Sequence, residues 1–359
     1  MTHLSRRTAL GLTLGAAGGL AALPSAPALS ENTPRTWSMV TSWGRNAPGP
    51  GTTAQRLAER ITASSNGELT ITLFAAGERV GGFDVFDAVA SGDVQMGHSA
   101  SFFWTGKVGG SAAYFTTVPF GMTAEPYLGW LHYGGGQALW DQLYAPFGVK
   151  PLMAGNAGMT MGGWFRRPVE GLNDLAGLKI RASGLGGAVY SRLGAAPISL
   201  PPSQLFENLN SGAIDAVEFL GPFSDTALGF YQAANNYYHP GFNKPNGPAE
   251  ALINQAAFDA LPAHLQQIII DACLAESTYG TAEAWANNAA KLQELAALGV
   301  TLRQFPNDVM AAGKDAAAEV MADVAEASDL ARSIYASYWD FAAQSTDLLA
   351  VTKASLLST

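Results

Sequence analysis

The sequence predicts an α/β protein of two lobes, with a ligand cleft between the lobes and long connecting and C-terminal helices. Strand-like and helix-like segments alternate over residues 36–98, and the alternation runs again over residues 150–219. Alternating strands and helices are typical of βαβ units, which build mixed, mostly parallel sheets. Because ligands bind beyond the carboxyl ends of the strands in such sheets, we expect a binding site in the cleft.

The period of the apolar residues predicts the individual elements. Ala54, Leu57, Ala58 and Ile61 recur at helical spacing. The first set has strands at residues 36–43, 68–74 and 94–98, with helices at 52–65 and 83–90. The second set has strands at 150–154, 159–165, 177–181, 198–200 and 214–219, with helices at 189–193 and 204–211. Long helices follow from about Pro262 to Leu298 and over residues 311–343.

The composition limits the classes of protein and partner. Of the 359 residues, 48% are hydrophobic and 14% are charged, which is enough apolar material for two domains. The net charge is -9 and no basic cluster occurs, so we expect neither nucleic acid nor an anionic membrane surface as a partner. No apolar run of about 18 residues follows the N-terminus, so we expect no membrane insertion. The single cysteine, Cys273, excludes a disulfide framework.

The N-terminus has the pattern of an export signal. Ser5-Arg6-Arg7-Thr8 precedes an apolar run, and Ala26-Pro27-Ala28 supplies a cleavage site of small residues. Twin arginines are typical of Tat export, so we interpret residues 1–28 as a Tat-type signal peptide cut near Ala28. The alternative is an ordinary Sec signal with adjacent arginines. Both alternatives predict a periplasmic mature chain.

A glycine-rich region contains the groups that would hold a small carboxylate. They are the amide of Asn156, the hydroxyl of Thr160, the indole of Trp164 and the guanidinium of Arg181. Arg181 ends a predicted strand at a glycine-rich turn, and its planar fork matches a carboxylate in two parallel hydrogen bonds. The alternative for this arginine is a surface ion pair. Its position at a strand end favours ligand binding.

Glu218 lies at the end of another predicted strand, before Gly221-Pro222. A carboxylate beside a bound carboxylate would repel it strongly in a cleft of low dielectric constant. The two coexist when a cation lies between them, so Glu218 indicates a hard, oxygen-seeking ion. The alternative is that an arginine or a backbone amide elsewhere in the chain pairs with Glu218.

Aromatic side chains cluster at the ends of the predicted strands and offer walls for a cleft. Core packing is the default interpretation for each of them singly. Their clustering predicts that some of them line the pocket, and the candidates are Phe102, Phe103, Trp104, Trp164 and Phe219.

A secreted α/β-type serine hydrolase that uses Ser99 is the alternative function. Gly97-His98-Ser99-Ala100-Ser101 follows a predicted strand and resembles the Gly-x-Ser-x-Gly elbow of α/β-hydrolases, but its fifth residue is serine. His132-Tyr-Gly-Gly-Gly136 resembles a lipase oxyanion loop. It follows the serine, whereas the hydrolase order places this loop before it.

Three motifs carry a resemblance to a known family: Gln95-Met-Gly-His-Ser-Ala100, Met161-Gly-Gly-Trp164-Phe165 and Tyr237-Tyr-His-Pro-Gly241. Further stretches of the same kind lie at residues 75–78, 83–89, 118–121, 134–140, 154–156, 174–181, 184–187 and 215–222. With them, the chain resembles the extracytoplasmic solute-binding proteins of TRAP transporters, in the DctP superfamily. It is most similar to the branch that binds 2-oxo acids such as pyruvate, or lactate, together with a metal ion.

The resemblance implies two α/β lobes that close over a solute. One lobe would comprise residues 31–158 with about 247–286, and the other residues 159–246 with about 287–328. Arg181 would grip the solute carboxylate, and Asn156 would hydrogen-bond to it. Glu218 and the carbonyl of Phe219 would bind a sodium or calcium ion that bridges to the solute.

The resemblance also implies partners, and it implies that the protein is not an enzyme. A receptor of this family binds a small organic acid anion without a catalytic cofactor and serves membrane-embedded TRAP permease subunits. A C-terminal helix dimerises some members, and residues 329–359 are its counterpart in this chain.

Several residues depart from the pattern of this branch. Thr160 stands where a glutamine ion ligand is common, and its hydroxyl reaches less far. Phe102 and Phe103 stand where an aromatic residue often carries a hydroxyl to the solute, and Phe219 stands where tryptophan is usual. These changes predict a larger or more apolar 2-oxo or 2-hydroxy acid than pyruvate.

Overall fold

The computed structural model describes residues 34–357, and it describes their side chains as far as residue 352. The predicted signal peptide at residues 1–28 lies outside the described residues. The strands are β1 (Arg35–Thr41), β2 (Leu69–Phe74), β3 (Met96–Ser99), β4 (Val149–Asn156), β5 (Gly163–Phe165), β6 (Lys179–Arg181), β7 (Ala196–Ile198), β8 (Ala216–Val217), β9 (Asn236–His239), β10 (Pro248–Asn254) and β11 (Thr301–Gln304).

The helices occupy the connections between these strands and the C-terminal end of the described range. They are α1 (Pro50–Ser64), α2 (Val85–Ala90), α3 (Thr105–Val108), α4 (Ala124–Tyr133), α5 (Gly136–Tyr144), α6 (Gly184–Arg192), α7 (Leu205–Ser211), α8 (Pro222–Ala227), α9 (Phe230–Ala233), α10 (Gln255–Asp259), α11 (Ala263–Ala297), α12 (Asn307–Glu326) and α13 (Asp329–Leu357). Short 3-10 helices lie at Ser101–Trp104, Gly110–Phe115, Ala145–Phe147, Leu172–Leu175 and Pro202–Gln204.

The strands form two mixed sheets. One sheet has five strands in the order β2-β1-β3-β10-β4, and the other has six in the order β11-β9-β5-β8-β6-β7. Among the described residues, five of the nine strand pairs are parallel and four are antiparallel. This architecture confirms the α/β class with mixed, mostly parallel sheets that the sequence predicts.

The interior strand β10 has no counterpart among the predicted strands. It pairs antiparallel with both β3 and β4, and its residues 248–253 are all buried. Because both faces are covered, the strand lacks the alternation of apolar and polar residues that marks a half-buried strand. Pro248 and Glu250 further lower its strand propensity.

The helix α11 is the longest element of the described range. Its 35 residues correspond to about 52 Å at a rise of 1.5 Å per residue. It packs against β4 of the first sheet and against α8, which follows β8 of the second sheet. Arg56 of α1 donates to Glu276 (2.6 Å) and Glu283 (2.9 Å) of α11, and Glu276 is fully buried. This ionic contact holds α1 against α11.

The C-terminal helical block that the sequence predicts consists of two helices, α12 and α13. The side chain of Ser328 accepts the N–H of Ala331 (3.0 Å) and caps the start of α13. Tyr338 of α13 is buried, and its hydroxyl accepts the N–H of Met122 (2.8 Å). No helix within the described residues has the length and apolar character needed to cross a membrane.

Glu250, in the middle of β10, is a fully buried carboxyl group. Trp104 donates from Nε1 to Oε1 (2.5 Å), and the hydroxyl of Tyr144 donates to Oε2 (3.0 Å). Burial raises the pKa of Glu250 from its ordinary value of 4.5 to about 8, although both hydrogen bonds act in the opposite direction. The folded protein therefore holds a proton on Glu250 near neutral pH.

Replacing Glu250 by glutamine should remove a pH dependence of stability. The stability contribution of Glu250 is full below about pH 4.5 and is lost as the pH rises to about 8, because only the folded state holds the proton in that window. The amide stays neutral, so between about pH 5 and pH 8 Glu250→Gln should gain roughly 2–4 kcal/mol relative to the wild type. Urea unfolding at the two pH values measures this gain.

The control is Glu207→Gln at an exposed position of α7. This variant should track the wild type at both pH values. A constant free-energy difference between Glu250→Gln and the wild type would contradict a protonated Glu250 in the folded protein.

Candidate functional site

The ends of two neighbouring strands bring together the charged groups of the site. Arg181 is the last residue of β6, and Glu218 directly follows β8. The two strands are parallel neighbours, and the N–H of Glu218 donates to the carbonyl of Arg181 (3.0 Å). The two residues are only 1% and 3% exposed, respectively. A buried guanidinium group and a buried carboxylate thus lie at the carboxyl ends of parallel strands, as predicted for a ligand site.

Two nitrogens of the Arg181 guanidinium group donate to backbone carbonyl oxygens, and the third has no partner in the described residues. Nη1 donates to the carbonyl of Glu218 (2.7 Å), and Nε donates to the carbonyl of Leu200 (3.3 Å). Nη2 is buried and has no hydrogen-bond partner in the part of the chain that the structure describes. Burial lowers the pKa of Arg181, but a guanidinium group keeps its charge in proteins. Nη2 is therefore a charged donor that lacks an acceptor.

Lys244 is a second buried cation of the site, and it is not among the predicted site residues. It lies in the loop between β9 and β10 and is 3% exposed. Its Nζ is 2.6 Å from Oε1 of Glu218 and donates to the carbonyl oxygen of Phe219. Burial lowers the pKa of Lys244, and attraction by Glu218 raises it. The carboxylate of Glu218 therefore has a cationic partner within the chain.

Arg181 and Lys244 line a cavity of about 40 Å³. The wall also contains the predicted residues Asn156, Phe102, Phe103 and Phe219. One water molecule needs about 10–15 Å³ on this measure, so the cavity accommodates a ligand of a few heavy atoms. An apolar pocket with a few convergent polar groups is the usual form of a small-molecule site.

Asn156 ends β4 and is almost completely buried. Its Oδ1 accepts the N–H of Gly158 (2.8 Å), and its Nδ2 donates to Oδ1 of Asn246 (2.8 Å). A side-chain amide has two N–H groups, so one of them is left for a ligand. In the described residues, the buried Nδ2 of Asn246 also has no hydrogen-bond partner.

Two phenylalanine rings flank the cations. Nζ of Lys244 lies 5.7 Å from the ring centroid of Phe102, and Cζ of Arg181 lies 5.6 Å from that of Phe219. Ring faces attract cations at these distances. The ring of Phe103 packs on Phe102, with centroids 4.4 Å apart. The rings therefore stabilise both cations and leave their N–H groups for polar partners.

Trp164, predicted to line the cleft, instead belongs to a buried core cluster of the second sheet. It stacks on Tyr237, with centroids 4.0 Å apart, and donates from Nε1 to Oδ2 of Asp225 (3.0 Å). The hydroxyl of Tyr237 donates to the same oxygen (2.9 Å), and burial raises the pKa of Asp225 to about 6. Trp164 lies within β5 rather than beyond its end, so the neighbouring strands β8 and β9 keep it in the core.

Thr160, predicted as an ion ligand, contacts the backbone of Lys244. Its hydroxyl donates to the carbonyl oxygen of Lys244. It lines a neighbouring cavity of about 590 Å³ and is not in the wall that contains Arg181. The threonine side chain therefore positions the lysine loop.

Ser99, the nucleophile of the hydrolase alternative, is fully buried, and its hydroxyl lies 2.6 Å from that of Ser42. The adjacent His98 accepts a hydrogen bond from Trp43 at Nδ1 (2.8 Å), and its Nε2 contacts the carbonyl of Ala154 (2.8 Å). Burial lowers the pKa of His98 to about 4, so the ring is neutral near pH 7. Both ring nitrogens of His98 are engaged elsewhere, so His98 does not serve Ser99 as a base.

The sequence gives only a weak indication that Lys244 belongs to the site. Lys244 is the one charged residue in the loop of residues 241–247. The sequence predicts an arginine or a backbone amide, and not a lysine, as the alternative partner of Glu218. Only the folded chain brings this loop, which follows β9, against the end of β8, across the intervening strand β5.

Comparison with known proteins identifies the family. Residues 39–328 match the model of the bacterial extracellular solute-binding proteins, family 7 (DctP). The chain is 37% identical over 308 residues to the monocarboxylate 2-oxoacid-binding periplasmic protein of Nostoc sp.. The match covers 86% of this chain and 84% of that relative.

Two solved structures are similar over 90% of this chain. One is a TRAP transporter solute-binding protein from Bordetella bronchiseptica, a mixed-occupancy dimer with copurified calcium and picolinate in one site and an apo second site. It is 32% identical, with a TM-score of 0.88 and 96% of that chain covered. The other, from Pseudoalteromonas atlantica, has bound sodium and pyruvate; it is 35% identical, with a TM-score of 0.88 and 99% coverage. These relatives confirm the predicted two-lobed fold and family, and they hold the two predicted ions, each with an organic acid.

Replacing Trp164 by phenylalanine should lower stability. The change removes a hydrogen bond to the buried Asp225 and leaves a void beside Tyr237, which together cost roughly 2–3 kcal/mol. Urea unfolding measures this loss. Trp285→Phe, at a position of α11 that is 57% exposed, is the control and should change the free energy of unfolding by less than about 0.5 kcal/mol. Equal stability of the two variants would contradict the core position of Trp164.

Proposed function

The chain belongs to the bacterial extracellular solute-binding proteins of family 7, and on that premise we propose that it is the TRAP transporter receptor of a small 2-oxo or 2-hydroxy monocarboxylate. The observation that carries this proposal is Nη2 of Arg181, a buried charged donor without an acceptor in the described residues. A carboxylate is the acceptor that matches a guanidinium group best. The name of the Nostoc relative, a monocarboxylate 2-oxoacid-binding protein, supports this class of ligand.

The charges in and behind the cavity wall favour a single negative charge on the ligand. Arg181 and Lys244 are cations, and Glu218 contacts both of them, with its Oε2 4.0 Å from Nη1 of Arg181. Glu283 also lines the cavity but pairs with Arg56 at 2.9 Å. These three groups sum to one net positive charge. Asp225, deeper in the core, also attracts both cations, but burial raises its pKa to about 6, and Trp164 and Tyr237 already donate to it. A monocarboxylate neutralises the net charge of the three groups, and buried charges persist only when they are paired.

The contacts of the bound acid follow from the free donors. The carboxylate lies against Arg181 and accepts the remaining N–H of Asn156. The rings of Phe102, Phe103 and Phe219 enclose the carbon chain. Phe102 and Phe219 lie beside the cations, and Phe103 packs on Phe102.

The size of the cavity favours a short acid. Its volume of about 40 Å³ corresponds to roughly three or four water-sized spaces. A ligand of about the size of pyruvate suits this space better than the larger acid that the phenylalanine substitutions predict.

Localisation and partners follow from the family. The Nostoc relative is a periplasmic protein by name, and a Tat-type signal at residues 1–28 would export this chain to the same compartment. The receptor would then deliver its acid to the membrane-embedded subunits of a TRAP permease. The proposed lobes, residues 31–158 with 247–286 and residues 159–246 with 287–328, each contain all the strands of one sheet.

A homodimer through the C-terminal helix is part of the proposal. Leu348 and Val351 of α13 are 63% and 75% exposed, respectively. Exposed apolar side chains on a terminal helix are candidates for a contact with a second copy. The Bordetella relative, a dimer, supports this arrangement.

Replacing Arg181 by lysine should weaken binding of pyruvate by roughly 10–100-fold. The charge is kept, but the planar fork that pairs with a carboxylate is lost. Isothermal titration calorimetry with pyruvate measures the affinity, and thermal unfolding checks that the variant is folded. Arg303→Lys, on β11 of the second sheet and outside the cavity wall, is the control and should bind like the wild type. An unchanged affinity in a folded Arg181→Lys protein would contradict the site.

The protein should bind its acid without turnover. Because the buried hydroxyl of Ser99 contacts Ser42 and no available histidine base, neither the wild type nor Ser99→Ala should hydrolyse a chromogenic ester. A colorimetric assay with a short-chain nitrophenyl ester measures this. Hydrolysis by the wild type that disappears in Ser99→Ala would support the hydrolase alternative instead.

A further inference from the structure

We propose that the ammonium group of Lys244 takes the place of the metal ion in this receptor, so that the acid binds without sodium or calcium. The inference rests on the proposed function for the identity of the ligand. Its structural basis is the pair of oxygens that Lys244 contacts, which belong to Glu218 and Phe219.

These two oxygens are the ion ligands that the resemblance to the family implies for this chain. Nζ of Lys244 lies 2.6 Å from the carboxylate of Glu218 and donates to the carbonyl of Phe219. Calcium binds oxygen at about 2.3–2.6 Å, and an ammonium group donates to oxygen at about 2.7–2.9 Å. An ion bound to both oxygens would therefore occupy nearly the same position as Nζ, and the two cannot be present together.

Thr160, the third expected ion ligand, contacts the backbone instead. The hydroxyl of Thr160 donates to the carbonyl oxygen of Lys244, outside the wall of the cavity. While Nζ occupies the oxygens of Glu218 and Phe219, the donor set therefore does not fit a sodium or calcium ion at the expected position, and Thr160 instead fixes the loop that carries Lys244.

The electrostatics of the site agree with this substitution. Arg181 and Lys244 already supply two cations to Glu218 and an incoming monocarboxylate. A further ion would add positive charge next to Nζ in a buried site, where like charges repel strongly. The ammonium group of Lys244 supplies the positive charge between Glu218 and the ligand that the ion would otherwise supply.

The ammonium group has one N–H group left for the ligand. An ammonium group has three donors, and Glu218 and Phe219 use two of them. Lys244 lines the cavity, so the third N–H is available to the 2-oxo or 2-hydroxy oxygen of the acid while Arg181 holds the carboxylate. Lys244 therefore contacts Glu218, Phe219 and the acid together, as a bridging ion would.

The first test needs no acid and uses the mature protein. Thermal unfolding of the wild type should give the same midpoint in choline chloride with chelator, in sodium chloride and in millimolar calcium chloride. In Lys244→Ala the oxygens of Glu218 and Phe219 lose their ammonium partner, so calcium should raise the midpoint of this variant relative to chelator. Lys150→Ala removes a partly buried lysine that pairs with Asp141 (2.8 Å), and it should behave like the wild type.

The wild type alone decides the test if Lys244→Ala does not fold. A rise in the wild-type midpoint of several degrees with calcium or sodium, reversed by chelator or by choline, would overturn the proposal. An unchanged wild-type midpoint supports it.

The second test measures affinity for pyruvate by calorimetry in the same three media. The wild-type affinity should vary by less than about threefold between them. A gain of about tenfold or more with sodium or calcium would overturn the proposal. Absence of binding in every medium would contradict the proposed function instead, and the unfolding test would still decide whether Lys244 excludes the ion.

Discussion

The buried ionic contact among Arg181, Glu218 and Lys244 is the interaction on which the site depends. Each charge has been removed from water, and such groups persist only when the others compensate them. Glu218 compensates one of the two cations, and the second stays in excess at the wall of a mostly apolar cavity. The site is therefore electrostatically incomplete until an anion enters it, which is the property that a receptor for an organic acid needs.

The fold supplies this contact through strand ends and a loop of one sheet. Arg181 ends β6, Glu218 follows β8, and Lys244 follows β9. Backbone carbonyls of residues 200, 218 and 219 accept hydrogen bonds from the two cations, so much of their N–H capacity is satisfied before a ligand binds. Because these donors are already ordered, binding costs little further conformational entropy. The N–H groups that stay free favour a carboxylate as the ligand.

The sequence predicts those parts of the site that local patterns determine. Arg181 and Glu218 are recognisable because each ends a predicted strand, and the cavity wall contains Asn156 as well. Trp164 shows the limit of this reasoning: an indole near a strand end and an indole within the strand give nearly the same pattern, and only the sheet decides between core and cavity. Lys244 is harder still, because its partners lie 25 and 26 residues earlier in the chain. The interior strand β10 is missed for the related reason that burial on both faces removes its periodic signal.

The replacement of an ion by a lysine preserves the charge of the site and changes how it is controlled. A sodium ion and an ammonium group both carry one positive charge, so either leaves one net positive charge for a monocarboxylate beside Arg181 and Glu218. A dicarboxylate would bring a second negative charge into the cavity, and the net charge of Arg181, Glu218 and Lys244 would pair with only one of the two. The selectivity for one carboxylate therefore survives the substitution. What is lost is the dependence on a free ion, because a tethered ammonium group is present at every encounter with the acid.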